Sequence, residues 1–408
     1  MGSGSRSSPG RTLIPTSAVL TALGTREVVA VRDGARTLVA ADPVETVVAS
    51  GHDALAALDR LTPGWWAGYL AYDLGRGIER VTTRNPPTSL PDLVLARFDA
   101  RLVLDPVGAS TIDGDTDAAC APDLRAAYAT AATGPPTLAH PALGTWSSSL
   151  DRDGFADRVR DIGLLLTAGE CYQVNLTRRL TCERPADPIA LFATLAAENP
   201  APYGSLVRLA GVSVVSASPE CFLRWTGPVV ETRPVKGTAS TAVALESSAK
   251  DRAENVMIVD LSRNDLGRIA VPGSVEVPEL FRIEEHPGLF HLVSTVRARR
   301  RRGITPAGLL RATFPPASVT GAPKPRVLQA IEDLEPVRRG VYCGALGWID
   351  TEHDAGNLAV AIRTFTVAGG ETTLGVGAGI VADSDPDAEW AETELKAARL
   401  LRAAGAAS

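Results

Sequence analysis

No pair among the five cysteines of this 408-residue chain has Cys-x-x-Cys spacing, and histidines are equally scarce at five. The lack of that spacing argues against a cysteine-rich zinc site, and the scarcity of histidine argues against a histidine-ligated metal. The odd cysteine count gives no disulfide framework and fits a reducing, cytoplasmic setting. Any metal here is expected to be a hard ion held by carboxylates. Long apolar runs are also missing: none reaches the ~18 residues that a membrane span requires. Nor is there an excess of positive charge. Lys plus Arg total 41 against 47 Asp plus Glu, a net charge of -6 and a pI near 5.5, which argues against nucleic acid as a partner. The one dense basic run, 297–303, reads as a solvated turn between two elements.

Length alone suggests two or three units. Residues 1–10 lack an apolar stretch, so they read as a disordered lead-in and not as a signal peptide. Residues 11–105 carry short β-like runs around an aromatic, glycine-containing strand near Trp65 and Trp66, and form an amino-terminal subdomain. Residues 106–149 turn to Ala, Pro, Thr, Asp and Gly and read as a linker with a short helix at 123–130. Residues 150–408 have sharper signals. Phe155, Val159, Ile162 and Leu166 lie on one helical face, with Gly169 as the stop. Further helices are expected at 249–261, 325–333 and 386–404. Strands cluster between these helices without regular alternation, so the expected class is α+β with mostly antiparallel sheet.

The segment Thr232-Arg233-Pro234-Val235-Lys236-Gly237-Thr238 holds a lysine in stiff backbone after an apolar run. Such a lysine is either a turn residue in water or, pointed inward and desolvated, a nucleophilic amine. In the helix at 249–261, Glu254 shares a stripe with Met257, Ile258 and Leu261. An acid there is either paired with an arginine such as Arg252 or Arg268, or bound to a cation. Glu389 and Glu392, followed by Lys396 and Arg399, have the spacing of an exposed ion-pair face. With Glu254 they would instead form an oxygen-ligand site for magnesium. The turn before Pro325, with Gly321 and Ala322, is either a plain loop or an anion cradle at a helix start. Arg363 is either a surface strand residue or a clamp for a carboxylate.

Together these motifs resemble the chorismate-utilising enzymes, most closely the component I proteins of aminodeoxychorismate synthases. The resemblance runs in order through 169–176, 218–222, 232–238, 251–269, 291–295, 314–324, 340–344, 361–364 and 377–393, and touches the amino-terminal third only at 64–75. It implies an α/β sandwich of two large, mostly antiparallel sheets around a central cleft, with helices outside and the chain's two ends interleaved. It also implies amination of chorismate at ring carbon 4, giving 4-amino-4-deoxychorismate, the precursor of 4-aminobenzoate and folate. Lys236 matches the residue that attacks carbon 2, where an alanine accompanies anthranilate synthases. Gln173 stands where water-adding relatives carry a lysine. Glu220 matches the general acid for the departing hydroxyl, a role that needs a raised pKa. Glu254 and Glu392 match magnesium ligands, with Glu389 ligating directly or through water. Gly321 and Ala322 match amide donors to the ring carboxylate. Gln173, Thr238, His291, Tyr342, Arg363, Gly379 and Lys396 complete the substrate pocket.

Cys221 departs from the arginine that the resemblance expects after Glu220, the segment 238–250 is short, and no signature of tryptophan regulation is seen. No Gly-x-Cys-x-Gly elbow of a glutaminase is present, so ammonia is expected from a glutaminase partner subunit. Two other readings stay open: another chorismate-aminating enzyme, such as an anthranilate or 2-amino-2-deoxyisochorismate synthase, or a non-catalytic subunit that binds the glutaminase.

Overall fold

The computed structural model describes residues 14–106, 110–134, 138–286 and 289–406; the lead-in expected at 1–10 lies outside them. Two sheets make the body. The first has eleven strands, in spatial order Gly321–Ala322, Gln173–Cys182, Glu371–Ile380, Thr364–Ala368, Val212–Ser218, Tyr203–Leu209, Val28–Asp33, Arg36–Ala41, Ala100–Leu104 and Ser110–Gly114, with Ser147–Ser148 beside Gln173–Cys182. The second has ten: Val235–Ala239, Leu289–Arg299, Val229–Arg233, Cys221–Thr226, Ala355–Val360, Ala345–Asp350, Trp65–Leu70, Leu93–Phe98 and Glu45–Ala49, with Glu276–His286 against Leu289–Arg299. Every ladder between these strands is antiparallel among the described residues. The expected α+β sandwich is the fold observed.

Burial on both faces explains the β-branched strands. Val29, Val31, Val207 and Val214 of the first sheet meet Trp65, Tyr69, Val94 and Leu346 of the second in one shared core. The opposite face of the first sheet, through Val28, Leu206, Val215 and Phe365, packs on helices Thr16–Leu23, Pro188–Glu198 and Pro386–Ala403. Helices His52–Leu58, Ala249–Gly267 and Pro306–Thr313 cover the second sheet. The helices therefore lie outside.

The amino-terminal portion shares both sheets with the rest of the chain. Val28–Asp33 pairs with Tyr203–Leu209, and Trp65–Leu70 with Ala345–Asp350. Residues 106–149, expected as a linker, contain strand Ser110–Gly114 at the sheet edge and helix Ala121–Thr133, whose Leu124, Ala127 and Ala131 are buried. That helix buries mainly alanine, so its apolar period is faint in the sequence. The basic run is also more than a turn. Arg297 and Arg299 end the strand Leu289–Arg299, Arg297 meets Glu231 at 3.3 Å, and the buried Arg300 pairs with Asp354.

Candidate active site

Lys236 sits where the ladder of the second sheet is interrupted. Pro234 has no N–H to give, and the pairing with Leu289–Arg299 shifts register between Val235 and Thr238. Gly237 then takes φ +90° with Asp251 and Leu245 packed against it, a turn that a larger residue would strain. The backbone thus directs the Lys236 side chain inward, where it is 16 % exposed. Its Nζ lies 4.0 Å from Glu254 Oε2. Burial lowers the amine's pKa below the usual lysine range; Glu254 and Glu220 oppose this and Lys396 adds to it.

Across the cleft the first sheet supplies bare backbone. A Cβ on Gly379 would lie 2.2 Å from Gln173 Nε2 and 3.8 Å from Lys236 Nζ, so these three residues share one small volume. Gln173 is buried and its Nε2 has no protein partner. Gly375, further along the strand, lies beneath the Tyr342 ring. Gly379→Ala is therefore expected to displace Gln173 and to cut turnover by at least ~10-fold while the protein still melts cooperatively. Steady-state kinetics with a parallel melt tests this, and wild-type kinetics would remove Gly379 from the site.

Glu220 follows the buried strand Val212–Ser218 and is itself buried. Burial pushes its carboxyl up to about 7, although the Ser318 hydroxyl, Lys236, the Val235 amide and Arg363 each pull the value down. That poises it to hold a proton near neutral pH and release it. Arg363, beside it, is half-buried in left-handed backbone at φ 52°, an uncommon conformation for arginine. His291 is 2 % exposed, with both ring nitrogens unpartnered. Burial, Arg363 and His286 lower its pKa to about 3, so it is neutral. Thr238, its ladder neighbour, is exposed at the rim.

The acids come from two helices. Ser248 caps Ala249–Gly267 by accepting from the Asp251 N–H at 3.1 Å. Asn255 ties this helix to the sheet, donating to the Leu292 carbonyl at 3.3 Å and accepting from Ser294 at 2.5 Å. Those bonds fix the rotation of the helix and hence where Glu254 points. Its partners are Lys236 and Lys250, each at 4.0 Å, and neither expected arginine takes that place. Arg268 faces Glu79, while Arg252 lies over Phe281. The second helix, Pro386–Ala403, is capped by Asp385 and carries Glu389 and Glu392. Glu389 is buried, its carboxyl raised by desolvation, and accepts from Ser384 at 2.7 Å. For Glu392 burial is outweighed by Lys396, 2.6 Å away, and its pKa falls. Lys396 also donates to the Gly377 carbonyl at 2.9 Å.

Among the described residues no three acids are gathered at ligation distance. The charges still fit a hard cation. Lys250 pairs with Glu254 and lowers both Glu389 and Glu392, so three carboxylates face one ammonium. Lys250 was missed in the sequence, although it stands four residues before Glu254, the spacing of helical neighbours. Gly321 and Ala322 form a two-residue strand against Val174 and Gln173. Cys221 turns to Tyr203 and Arg233; Arg233 is its cross-strand partner, so a guanidinium stands next to position 221 after all. The short 238–250 segment is filled by helix Ala242–Ser247, whose Leu245 packs on Gly237.

The model of the chorismate binding enzyme family matches residues 12–402. The chain belongs to the chorismate-binding enzymes. Within this family it is 40% identical over 351 residues to an aminodeoxychorismate synthase component 1 of Klebsiella aerogenes, covering 82% of this chain and 76% of that protein. It is 36% identical over 366 residues to an anthranilate synthase component 1 of Haloarcula marismortui, covering 82% and 75%. Among solved structures, anthranilate synthase component I from Streptococcus pneumoniae TIGR4 superposes with a TM-score of 0.77 at 26% identity, covering 90% of this chain and 92% of that one. No helix among the described residues is long and apolar enough to cross a membrane, and all five cysteines are buried and free.

Proposed function

We propose that this chorismate-binding enzyme aminates chorismate at ring carbon 4, yielding 4-amino-4-deoxychorismate, with ammonia delivered by a glutaminase partner. The observation that carries the reading is the Lys236 amine, desolvated and held at 4.0 Å from Glu254 in the same pocket as a carboxyl of pKa about 7. Lowering a lysine's pKa makes its amine more available as a nucleophile. Its lone pair attacks ring carbon 2, both ring double bonds shift around the ring, and the carbon 4 hydroxyl departs as water with the Glu220 proton. Ammonia then adds at carbon 4 and the electron pair returns to nitrogen as Lys236 leaves. The pyruvyl ether is untouched throughout. Arg363 would hold a carboxylate of the substrate, and neutral His291 would donate or accept one hydrogen bond against the ring. Gln173 supplies an amide where a base would be needed to activate water, which favours amination over hydration.

Glu254 and Glu392, with Glu389 directly or through water, would hold magnesium, which supplies positive charge for the ring carboxylate when bound. Glu254→Gln or Glu392→Gln is expected to raise the magnesium concentration for half-maximal rate by at least ~10-fold, with KM for chorismate rising alongside. Thermal stability without ligand is expected to change little, because the remaining acid keeps Lys250 or Lys396 as a partner. Magnesium titrations of each variant measure this; an unchanged requirement places the metal elsewhere. The reaction itself is tested with chorismate, magnesium and ammonium, separating products by mass. Aminodeoxychorismate is the expected product. Anthranilate with pyruvate would transfer the chain to the carbon 2 reaction named for its 36% identical relative, and intact chorismate would leave only a glutaminase-binding role.

A further inference from the structure

A chamber of about 290 Å³ lies over the first sheet, with Tyr342 and Gly375 as one wall. Lys236, Glu220, Gln173, Arg363 and Gly379 do not line it. Its floor is the inner face of the first sheet, from Thr177 and Arg179 across to Thr366, and its roof is formed by the 88–90 loop and residues 337–339. The volume is at the lower end of that for small-molecule pockets.

Its charges are unevenly spent. Arg178 turns away to Thr393 and Glu394. Arg339 holds both oxygens of Glu335 at 2.9 and 2.6 Å, and the same carboxylate accepts from the Thr177 N–H at 2.8 Å. Arg179 and Arg338 remain. Arg179 donates to the Arg338 carbonyl and Arg338 to the Asn85 carbonyl at 3.2 Å; neither pairs with an acid among the described residues. Glu371, on the exposed rim, is the other acid of the lining. A half-buried guanidinium bonded only to a carbonyl is costly, and two together favour an anion between them. The remaining wall is mixed: threonine hydroxyls on the floor, and Leu90, Val337, Val341 and the Tyr342 ring around it.

We propose that this chamber is a second small-molecule site, taking a ring-bearing monocarboxylate. The carboxylate meets Arg179 and Arg338, and the ring lies against Val341 and Tyr342. Gly375, beneath the Tyr342 ring, shares its strand with Gly379, so occupancy here presses on the strand that reaches Gln173 and Lys236. The proposal does not depend on which product the enzyme makes.

Benzoate is the probe, with the full chain in magnesium-free buffer and thermal denaturation as the readout. Saturating benzoate is expected to raise Tm by roughly 2–4 °C. The shift is expected to persist in Arg363→Gln, whose change lies in the substrate pocket, and to vanish in Arg179→Gln and in Ala368→Trp, which fills the chamber without removing a charge. Should Arg179→Gln fail to fold, Ala368→Trp carries the test. An absent shift, a shift that survives Ala368→Trp, or one lost in Arg363→Gln would overturn the proposal. An equal shift with inorganic phosphate would overturn it too, since the chamber would then be sensing charge without the ring.

Discussion

Lys236→Ala is expected to abolish amination at ring carbon 4 and to divert what turnover remains to carbon 2. The loss is expected to be ~10³-fold or more, the scale seen when a nucleophile that works with its neighbours is removed. Folding is not expected to suffer. The amine is desolvated and its charged form is disfavoured in the native state, while Glu254 retains Lys250 at 4.0 Å. Kinetics and melting curves from one preparation therefore separate chemistry from stability. The pH profile adds a sign. Lys236 attacks only when neutral, so the wild-type rate falls as pH drops through its lowered pKa. Glu254→Gln removes the anion 4.0 Å away that opposes that lowering, so nuclear magnetic resonance of the lysine amine is expected to show its titration moving to still lower pH. Carbon 4 amination by the alanine variant at the wild-type rate would refute the nucleophile assignment.

Glu220→Gln is expected to cost ~10²–10⁴ in rate, with chorismate binding largely kept, because the amide matches the acid in size but cannot deliver its proton. The acid acts when protonated, so the wild-type rate is expected to decline as pH rises through about 7. The same shift has a consequence for stability. The folded state holds this proton more tightly than the unfolded chain does, since its pKa rises from 4.5 to about 7. The corresponding stability is fully present below about pH 4.5 and is lost as pH climbs through 7. The glutamine variant, which never ionises, is therefore expected to melt higher than wild type at pH 8, by an amount on the order of 3 kcal/mol. Near pH 4 the two are expected to melt alike. Equal turnover across neutral pH, or a lower melting point for the variant at pH 8, would exclude a buried general acid at this position.

Long periodic elements were legible in the sequence, and elements defined by distant partners were not. The expected helices at 153–169 and 386–404 appear as Arg152–Thr167 and Pro386–Ala403, because each combines a 3.6-residue apolar period with a cap. Helix Pro188–Glu198 was not foreseen. Its apolar residues, such as Ile189, Leu191, Phe192 and Leu195, spread around the helix, and no clean stripe announces it. The hairpin Glu276–His286 with Leu289–Arg299 escaped for a different reason: its outer strand is half charged and takes its conformation from its neighbour. At the site, the types of the key residues were readable, and their partners were not. Helical spacing put Glu254 on an inward stripe, but whether an arginine, a lysine or a cation answered it depends on Lys236, whose strand lies outside that helix. Burial alone raises Glu220, and burial is a property of the assembled sandwich.

The interleaving of the two ends governs how the chain can be made. Strand Val28–Asp33 has no neighbour on one side until Tyr203–Leu209 exists, and Trp65–Leu70 waits for Ala345–Asp350. On a ribosome the first valine-rich strands therefore emerge long before their partners and present open hydrogen-bonding edges to other nascent chains. Such long-range pairing also makes for slow folding. A fragment ending near residue 150 is expected to aggregate, and supplying the missing carboxy-terminal piece in trans before collapse is the natural way to rescue it.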